Sequence, residues 1–221
     1  MKKIIDLTYT YENGQTCGKP ENHPIIELKR MAKLEDKGFN TSSALLGSHI
    51  GTHMDAPKHL MAEGIAIDEM DVSGCIGDVS VVNLSYIGRN QRVELNDVLN
   101  LEIKERMLFV FGWNKYFGTL QYTDEWPYFS MQAAEHLVQS GMKFIAMDVM
   151  SPDCRAVGTE YDFEVHKYFM KNDVVIVENL ASTEKIDFNK KYEIAALPLK
   201  LKNLDGAPCR VVLIEKSEDI L

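Results

Sequence analysis

Residues whose types suit catalysis are concentrated in one stretch, residues 48–60, which reads Ser-His-Ile-Gly-Thr-His-Met-Asp-Ala-Pro-Lys-His-Leu. Three of the six histidines in the chain lie there, together with one aspartate. Imidazole and carboxylate groups together suit zinc, manganese or iron, and histidine is the most frequent acid–base group in enzymes. The stretch therefore predicts a metal site with a proton-transfer group. The candidate residues are His49, His53, Asp55 and His59.

The local conformation of this stretch decides which side chains can meet. A helix would place His49 and His53 on one face, because they are four residues apart. Gly51, the β-branched residue after it and Pro57 disfavour that helix. A strand that ends near His49 and runs into a tight loop is favoured instead. In an extended segment His53 and Asp55 point the same way, so both can bind one ion.

Three alternatives to a catalytic metal site stay open. Burying so many polar groups for structural reasons alone is costly without a metal or a dense hydrogen-bond network. A structural, non-catalytic ion site usually has cysteine ligands in a closed tetrahedron, and this stretch has no cysteine nearby. The third alternative is a small-molecule binding protein that retains the motif without turnover.

Two residues of the second half are candidates for further ligands. His166 lies in a predicted helix over residues 163–171, and Glu178 lies near the end of an apolar run over residues 174–180. A glutamate there is costly if it is buried and unpaired, although simple exposure at a strand end is the alternative. Asp148 and Asp153 can orient ligands or be solvated. His23, in a loop, and His136, on a helix face, are interpreted as ordinary residues.

The motif His-x-Gly-Thr-His-x-Asp-x-Pro-x-His, continuous from His49 to His59, resembles the signature of the cyclase-type metal-dependent hydrolases. That family includes bacterial kynurenine formamidases and isatin hydrolases. In the family, a histidine followed twelve residues later by the glutamate of a Glu-Asn-Leu segment completes a two-metal site, and His166 and Glu178 have this spacing. Further segments resemble the family along nearly the whole chain: Asp6-Leu-Thr, Gly112-Trp113, residues 147–153, Leu197-Pro198-Leu199 and Asp205-Gly206.

The resemblance implies a hydrolase of a small amide, formamide, lactam or lactone, similar to the conversion of N-formylkynurenine to kynurenine and formate in tryptophan catabolism. It implies two divalent ions per chain, zinc or manganese, which activate a hydroxide for attack on the carbonyl carbon. His59 would act as base and then as acid, although a role as ligand or orienting residue is its alternative. The implied metal ligands, with the two carboxylates bridging, are His49, His53, Asp55, His166 and Glu178.

One early loop departs from the family. Relatives often have a segment of the type Pro-Val-Tyr-Pro-Gly-Asp, whose aromatic ring can pack on the substrate. Here residues 15–20 contain Cys17 and Gly18 at the corresponding place. Because the metal residues are intact, hydrolysis is expected, whereas the preference for an aryl formamide such as N-formylkynurenine is open.

Length and composition limit the class of protein. The 221 residues, 45% hydrophobic and 26% charged, are enough for one sizeable core, and no linker divides the chain, so one domain over residues 1–221 is expected. The net charge of −9 argues against nucleic acid or an anionic membrane as partner. Four scattered cysteines and the lack of a signal-peptide core or an apolar span predict a cytoplasmic protein. The resemblance implies a homodimer or homotetramer, with the aromatic-rich residues 116–129 covering a site or an interface.

Predicted strands outnumber predicted helices, and several are adjacent in sequence. This pattern favours a sheet-rich α/β or α+β domain over a doubly wound parallel sheet. The resemblance implies a swivelling β/β/α type of fold. The predicted strands cover residues 3–8, 41–49, 74–84, 107–113, 144–149, 174–180, 193–201 and 209–215, and the predicted helices cover residues 94–101, 130–140 and 163–171.

Overall fold

The computed structural model describes residues 3–16, 23–154 and 162–217. The strands are β1 (Ile4–Asp6), β2 (Glu27–Ala32), β3 (Thr41–Leu45), β4 (His53–Asp55), β5 (Ile76–Asn83), β6 (Arg92–Val93), β7 (Arg106–Val110), β8 (Tyr128–Phe129), β9 (Phe144–Met147), β10 (Val175–Glu178), β11 (Tyr192–Pro198) and β12 (Gly206–Glu215). The α-helices are α1 (Leu34–Lys37), α2 (Leu95–Val98), α3 (Leu120–Asp124), α4 (Met131–Gln139) and α5 (Glu164–Lys171). Among the helices described, none has the length and apolar character needed to cross a membrane.

Within the described residues, seven strands close into a barrel in the order β12-β11-β5-β7-β9-β10-β4, and β4 pairs back onto β12. The neighbours from β5 to β10 run parallel, and the other neighbours run antiparallel. Parallel neighbours need crossover connections, and α2, α4 and α5 lie in those connections. The prediction of a sheet-rich α/β fold rather than a doubly wound sheet is confirmed.

Alternating side chains of the buried strands separate two hydrophobic cores. Leu108 and Val177 belong to a cluster with members from all seven barrel strands, so they point into the barrel. Their strand neighbours Phe109 and Ile176 belong to a second cluster on the outer face. The helices α4 and α5 cover that face, where Phe169 is fully buried. The outer face of the barrel is thus a protected surface between sheet and helices.

Several element predictions are confirmed, and several predicted strands are too long, because β7 ends at Val110 and β11 at Pro198. Ser130 caps α4 as predicted, because its hydroxyl accepts the backbone N–H of Ala133 at 3.2 Å. The strand predicted over residues 41–49 ends at Leu45. A turn begins soon after, where Gly47 packs so closely on the Pro24 ring that a Cβ would lie 3.0 Å from it.

The strands β2 and β3 form a separate two-stranded hairpin that pairs with no other described strand. The sequence left β2 unassigned, whereas β3 lies within the strand predicted over residues 41–49. Its apolar side chains lie largely in solvent, with exposed fractions of 43% for Leu28, 60% for Met31 and 53% for Leu45. Because these side chains are exposed, the hairpin lacks the packing that the barrel strands have. An isolated hairpin is at best marginally stable in water.

Candidate metal centre

The candidate ligands lie on the outer face of the barrel, where α5 covers β4 and β10. Met54 packs inside the barrel, so His53 and Asp55 on either side of it point outward, as predicted for an extended segment. β10 runs antiparallel to β4 and places Glu178 opposite His53. His166 reaches the same place from the first turns of α5, where it is buried.

The structure brings the five candidate ligands together in two groups that share Asp55. In the first group, Oδ1 of Asp55 lies 2.8 Å from His49 Nδ1 and 3.2 Å from His53 Nε2. In the second, His166 Nε2 lies 3.3 Å from Asp55 Oδ2 and 3.0 Å from Glu178 Oε1. The other Glu178 oxygen is 3.4 Å from His53 Nε2 and so joins the groups. In each group one atom per residue lies within 4.8 Å of the others, the spacing that a shared ion requires.

Two of these histidines are held by acceptors on the nitrogen that faces away from the group. His53 Nδ1 lies 2.9 Å from the carbonyl oxygen of Gly51. His166 Nδ1 lies 2.6 Å from Asp153 Oδ2, and Asp153 also accepts the backbone N–H groups of Val165 and His166 at the start of α5. Acceptors of this kind fix the tautomer and leave the other nitrogen free to bind a metal. Asp153 therefore orients a candidate ligand. This is one of the two roles that the sequence allowed for it, the other being a solvated carboxylate.

Asp205 is a member of the site that the sequence did not single out as functional. Its Oδ2 lies 3.0 Å from His49 Nε2 and 3.6 Å from His59 Nδ1. Gly206, which begins β12, allows this approach, because a Cβ there would lie 2.9 Å from His49 Cε1. The available signal was the family-like segment Asp205-Gly206, which in sequence alone is indistinguishable from an ordinary turn.

The less buried rings beside the cluster are those of His59 and Phe163. The side chain of His59 is 25% exposed, and its ring centroid lies 4.0 Å from that of His49 and 6.3 Å from that of His166. Phe163 meets the His59 and His166 rings edge-on, with centroids 6.2 and 5.6 Å apart. His23 was interpreted as an ordinary loop residue, but its side chain hydrogen-bonds the backbone of His49. Burial, together with the nearby histidine charges, lowers the pKa of His23.

Opposite charges balance in the buried cluster. Burial alone would raise the pKa of Asp55, but His49 and His166 outweigh it and hold that pKa well below its usual value. Burial and the charge of Asp55 raise the pKa of Glu178. Burial would lower the pKa of His49, yet Asp55 and Asp205 raise it to about 10. Burial also opposes the charged form of His166, but its carboxylate partners hold its pKa well above the usual value.

The residues fit a divalent cation. Asp55 Oδ2 and Glu178 Oε1 are buried and both face His166 Nε2, at 3.3 and 3.0 Å, without a well-formed hydrogen bond from any residue that the structure describes. Two buried carboxylates that converge on one histidine nitrogen are costly, and a bound cation reduces that cost. Histidine nitrogens and carboxylate oxygens are ligands for zinc and manganese, and the shared Asp55 allows two ions side by side.

Asp148 was the other candidate orienting residue, and it contacts none of the five ligands in the described contacts. Its carboxylate accepts the backbone N–H groups of Phe111 and Trp113 at 2.8 and 3.2 Å and the hydroxyl of Thr183 at 2.8 Å. Burial raises the pKa of Asp148 to about 6. These hydrogen bonds of Asp148 connect the carboxyl ends of β7 and β9.

Comparisons with known proteins agree with this fold. Isatin hydrolase bound to the product analogue thioisatinate has the same fold, with a TM-score of 0.82 at 22% identity over 96% of this chain and 92% of that one. A predicted metal-dependent hydrolase from Bacillus stearothermophilus has a TM-score of 0.78 at 25% identity over 98% of this chain and 100% of that one. Fold and site together define a metal-dependent hydrolase.

The family follows from the sequence matches. The model of the family described as "Putative cyclase" matches residues 5–154. Kynurenine formamidase of Bacillus cereus (strain ATCC 10987 / NRS 248) is 30% identical over 201 residues, 91% of this chain and 92% of that protein. An uncharacterized protein of Methanocaldococcus jannaschii is 31% identical over 213 residues, 96% of this chain and 99% of that protein. The chain belongs to the cyclase family, as the motif predicts.

Proposed function

We propose that this protein, as a single domain over residues 1–221, hydrolyses the C–N bond of a small amide, formamide or lactam, or the C–O bond of a related lactone. The similarity to kynurenine formamidase over nine-tenths of both chains supports this substrate class. The observation that carries the proposal is the pair of ligand groups sharing Asp55, in which two buried carboxylate oxygens converge on His166 Nε2.

The proposed ligand sets follow the two groups. His49, His53 and Asp55 would hold one ion, Asp55, His166 and Glu178 would hold a second, and zinc or manganese suits both. When bound, the ions supply Lewis acidity, which lowers the pKa of a water molecule and stabilises negative charge on the substrate oxygen. The protein's own contribution is the fixed direction of each histidine ligand nitrogen, set by the contacts of the other ring nitrogen.

His59 is the proposed acid–base residue. It lies on the solvent side of the cluster, beside the His49 ring, and its contact with a carboxylate is to Asp205 rather than to Asp55 or Glu178. Its Nδ1 faces Asp205, so Nε2 is the nitrogen left for substrate. Nε2 would take a proton from water as the water attacks the carbonyl carbon. The same nitrogen would then donate that proton to the leaving nitrogen as the C–N bond breaks.

The substrate preference depends on the aromatic groups beside the site. Residues 17–20 of the loop in which the sequence departs from its relatives lie outside the described residues. Phe163 supplies an aromatic ring beside His59 from a different part of the chain, which supports an aryl substrate. N-formylkynurenine is therefore retained as the first test substrate, with isatin and simple lactones beside it.

The test is a substrate panel with a variant at the acid–base position. We expect wild-type kcat/KM above about 10⁴ M⁻¹s⁻¹, the lower end of ordinary enzyme efficiency, for at least one substrate. His59→Ala should lower kcat by roughly 10²–10⁴-fold while retaining bound metal. His136→Ala, on helix α4, is the matched control and should leave kcat unchanged. No turnover of any panel member by metal-loaded protein would refute the proposal in favour of a binding module.

Assembly and location are proposed on separate observations. We propose a homodimer or homotetramer in which the β2–β3 hairpin packs against a second copy, because its apolar side chains lack cover in the described chain. A cytoplasmic location is proposed on the free thiols of Cys75, Cys154 and Cys209, which suit a reducing compartment.

A further inference from the structure

We propose that Asp205 is a positioning residue that orients two histidines at once, the metal ligand His49 and the acid–base residue His59. One carboxylate would then determine both metal affinity and proton transfer. The inference deepens the proposed function and rests on it for the role of His59, whereas the contact with His49 does not depend on any substrate.

The His49 ring is held from both sides. Its Nδ1 lies 2.8 Å from Asp55 Oδ1, on the side where the ligand group converges, and its Nε2 lies 3.0 Å from Asp205 Oδ2. A neutral imidazole has one N–H and one lone pair. If Nε2–H donates to Asp205, the lone pair on Nδ1 faces the centre, which is the tautomer that a metal requires.

The same oxygen faces His59. Its Nδ1 lies 3.6 Å from Asp205 Oδ2, slightly longer than a hydrogen bond, and its ring packs on the His49 ring at a tilt of 38°. Hydrogen bonds to catalytic groups are often long before substrate binds and tighten afterwards. Donation of Nδ1–H to Asp205 places the lone pair of His59 on Nε2, the nitrogen proposed to take the proton from water.

The backbone around Asp205 is fixed against the site. Its carbonyl oxygen accepts the N–H of Ala56 at 3.0 Å, and Gly206 pairs with Asp55 across β12 and β4. A side chain at Gly206 would collide with the His49 ring, so the strand approaches the histidine at van der Waals distance. A backbone anchored in this way lets the Asp205 carboxylate position other side chains, because the neighbouring sheet determines where that side chain begins.

The experiment compares Asp205→Asn with Asp205→Glu and the control Asp187→Asn, which changes an exposed aspartate of a surface turn. In Asp205→Asn we expect metal affinity of the metal-free protein to fall by roughly 10–100-fold, the usual effect of losing a partner of a ligating histidine. At saturating metal, kcat should fall by at least roughly tenfold with KM nearly unchanged, and Asp205→Glu should recover part of both. Thermal unfolding of all three variants should match wild type within a few degrees.

A double-mutant cycle separates positioning from a general structural role. In the His59→Ala background, Asp205→Asn should cause no further loss of kcat, because the residue it positions is gone. Equal losses of kcat in both backgrounds would overturn the link to His59. Unchanged metal affinity would overturn the link to His49, and loss of a whole additional ion would make Asp205 a ligand instead.

A readout without turnover keeps this inference distinct from the proposed function. The ¹⁵N chemical shifts of the histidine rings report the tautomer, and the His59 signals are assigned from the His59→Ala spectrum. We expect a fixed Nδ1–H tautomer of His59 in wild type that is lost in Asp205→Asn. An unchanged tautomer in the variant would overturn the inference even in an active enzyme. Inactivity on every substrate would instead refute the proposed function alone.

Discussion

The variant Glu178→Gln tests two effects of this buried carboxylate: the destabilisation that its charge causes without metal and the stabilisation that it provides by binding metal. Glu178 joins the two ligand groups and is 4% exposed, and burial followed by the charge of Asp55 raises its pKa. An acid whose pKa is raised on folding loses stabilising free energy as pH rises past its unfolded value. Glutamine has the same shape without that charge. We therefore expect the metal-free variant at pH 7 to unfold at the wild-type temperature or slightly above it.

With metal, the same variant should be less stabilised than wild type. A ligand present at a thousand times its Kd stabilises a protein by about 4.1 kcal/mol. If loss of the shared carboxylate weakens metal binding by about 100-fold, roughly 2.7 kcal/mol of that is lost. For a chain of this length, each kcal/mol corresponds to about 2–4 °C. The metal-induced rise in Tm should therefore shrink by about 5–10 °C.

Differential scanning fluorimetry with and without metal measures both effects. Glu135→Gln, on the exposed face of α4, is the matched control and should behave as wild type in both conditions. An unchanged metal-induced rise in Tm for Glu178→Gln would refute Glu178 as a ligand. A fall of many degrees in the metal-free protein would show that the carboxylate stabilises the fold itself.

Three further predictions follow from the described contacts. The pKa values of His49 and His166 are raised in the metal-free protein, whereas histidine ligands must be neutral, so metal binding at pH 7.5 should release about two protons. Calorimetry in buffers of different ionisation heat measures this release. Release of no protons would contradict those pKa directions. Met31→Glu should reduce the mass seen by light scattering, whereas an unchanged mass would exclude the hairpin from the interface. Ser130→Ala should lower the free energy of unfolding by ~1 kcal/mol, and an unchanged denaturation midpoint would contradict its capping role.

Local features of the fold and site could be predicted because neighbouring residues determine them. A helix through His53 and Asp55 is disfavoured by Gly51 and Pro57, and in an extended segment these two side chains point the same way. Ser130 has the chemistry of a helix N-cap. Ligand types and spacing within the motif are likewise local. The position of His166 and Glu178 beside the motif was inferred from the family resemblance. The local sequence pattern alone was equally consistent with a solvent-exposed Glu178 at a strand end.

The rest depends on long-range pairing that no local pattern encodes. Asp205 reaches His49 across 156 residues, because β12 closes the barrel against β4 with Gly206 opposite Asp55. Register of this kind is determined by the whole sheet. His23 was missed for a similar reason, since a loop residue gives no periodic signal of what it will contact.

The most direct test of the central claim is a titration of metal-free protein with zinc or manganese. Turnover of the substrate panel is followed at each step, and bound metal is determined by elemental analysis. We predict no turnover without metal and an activity that rises to a plateau as two ions per chain are bound. Full activity in protein shown to contain no metal would contradict the account.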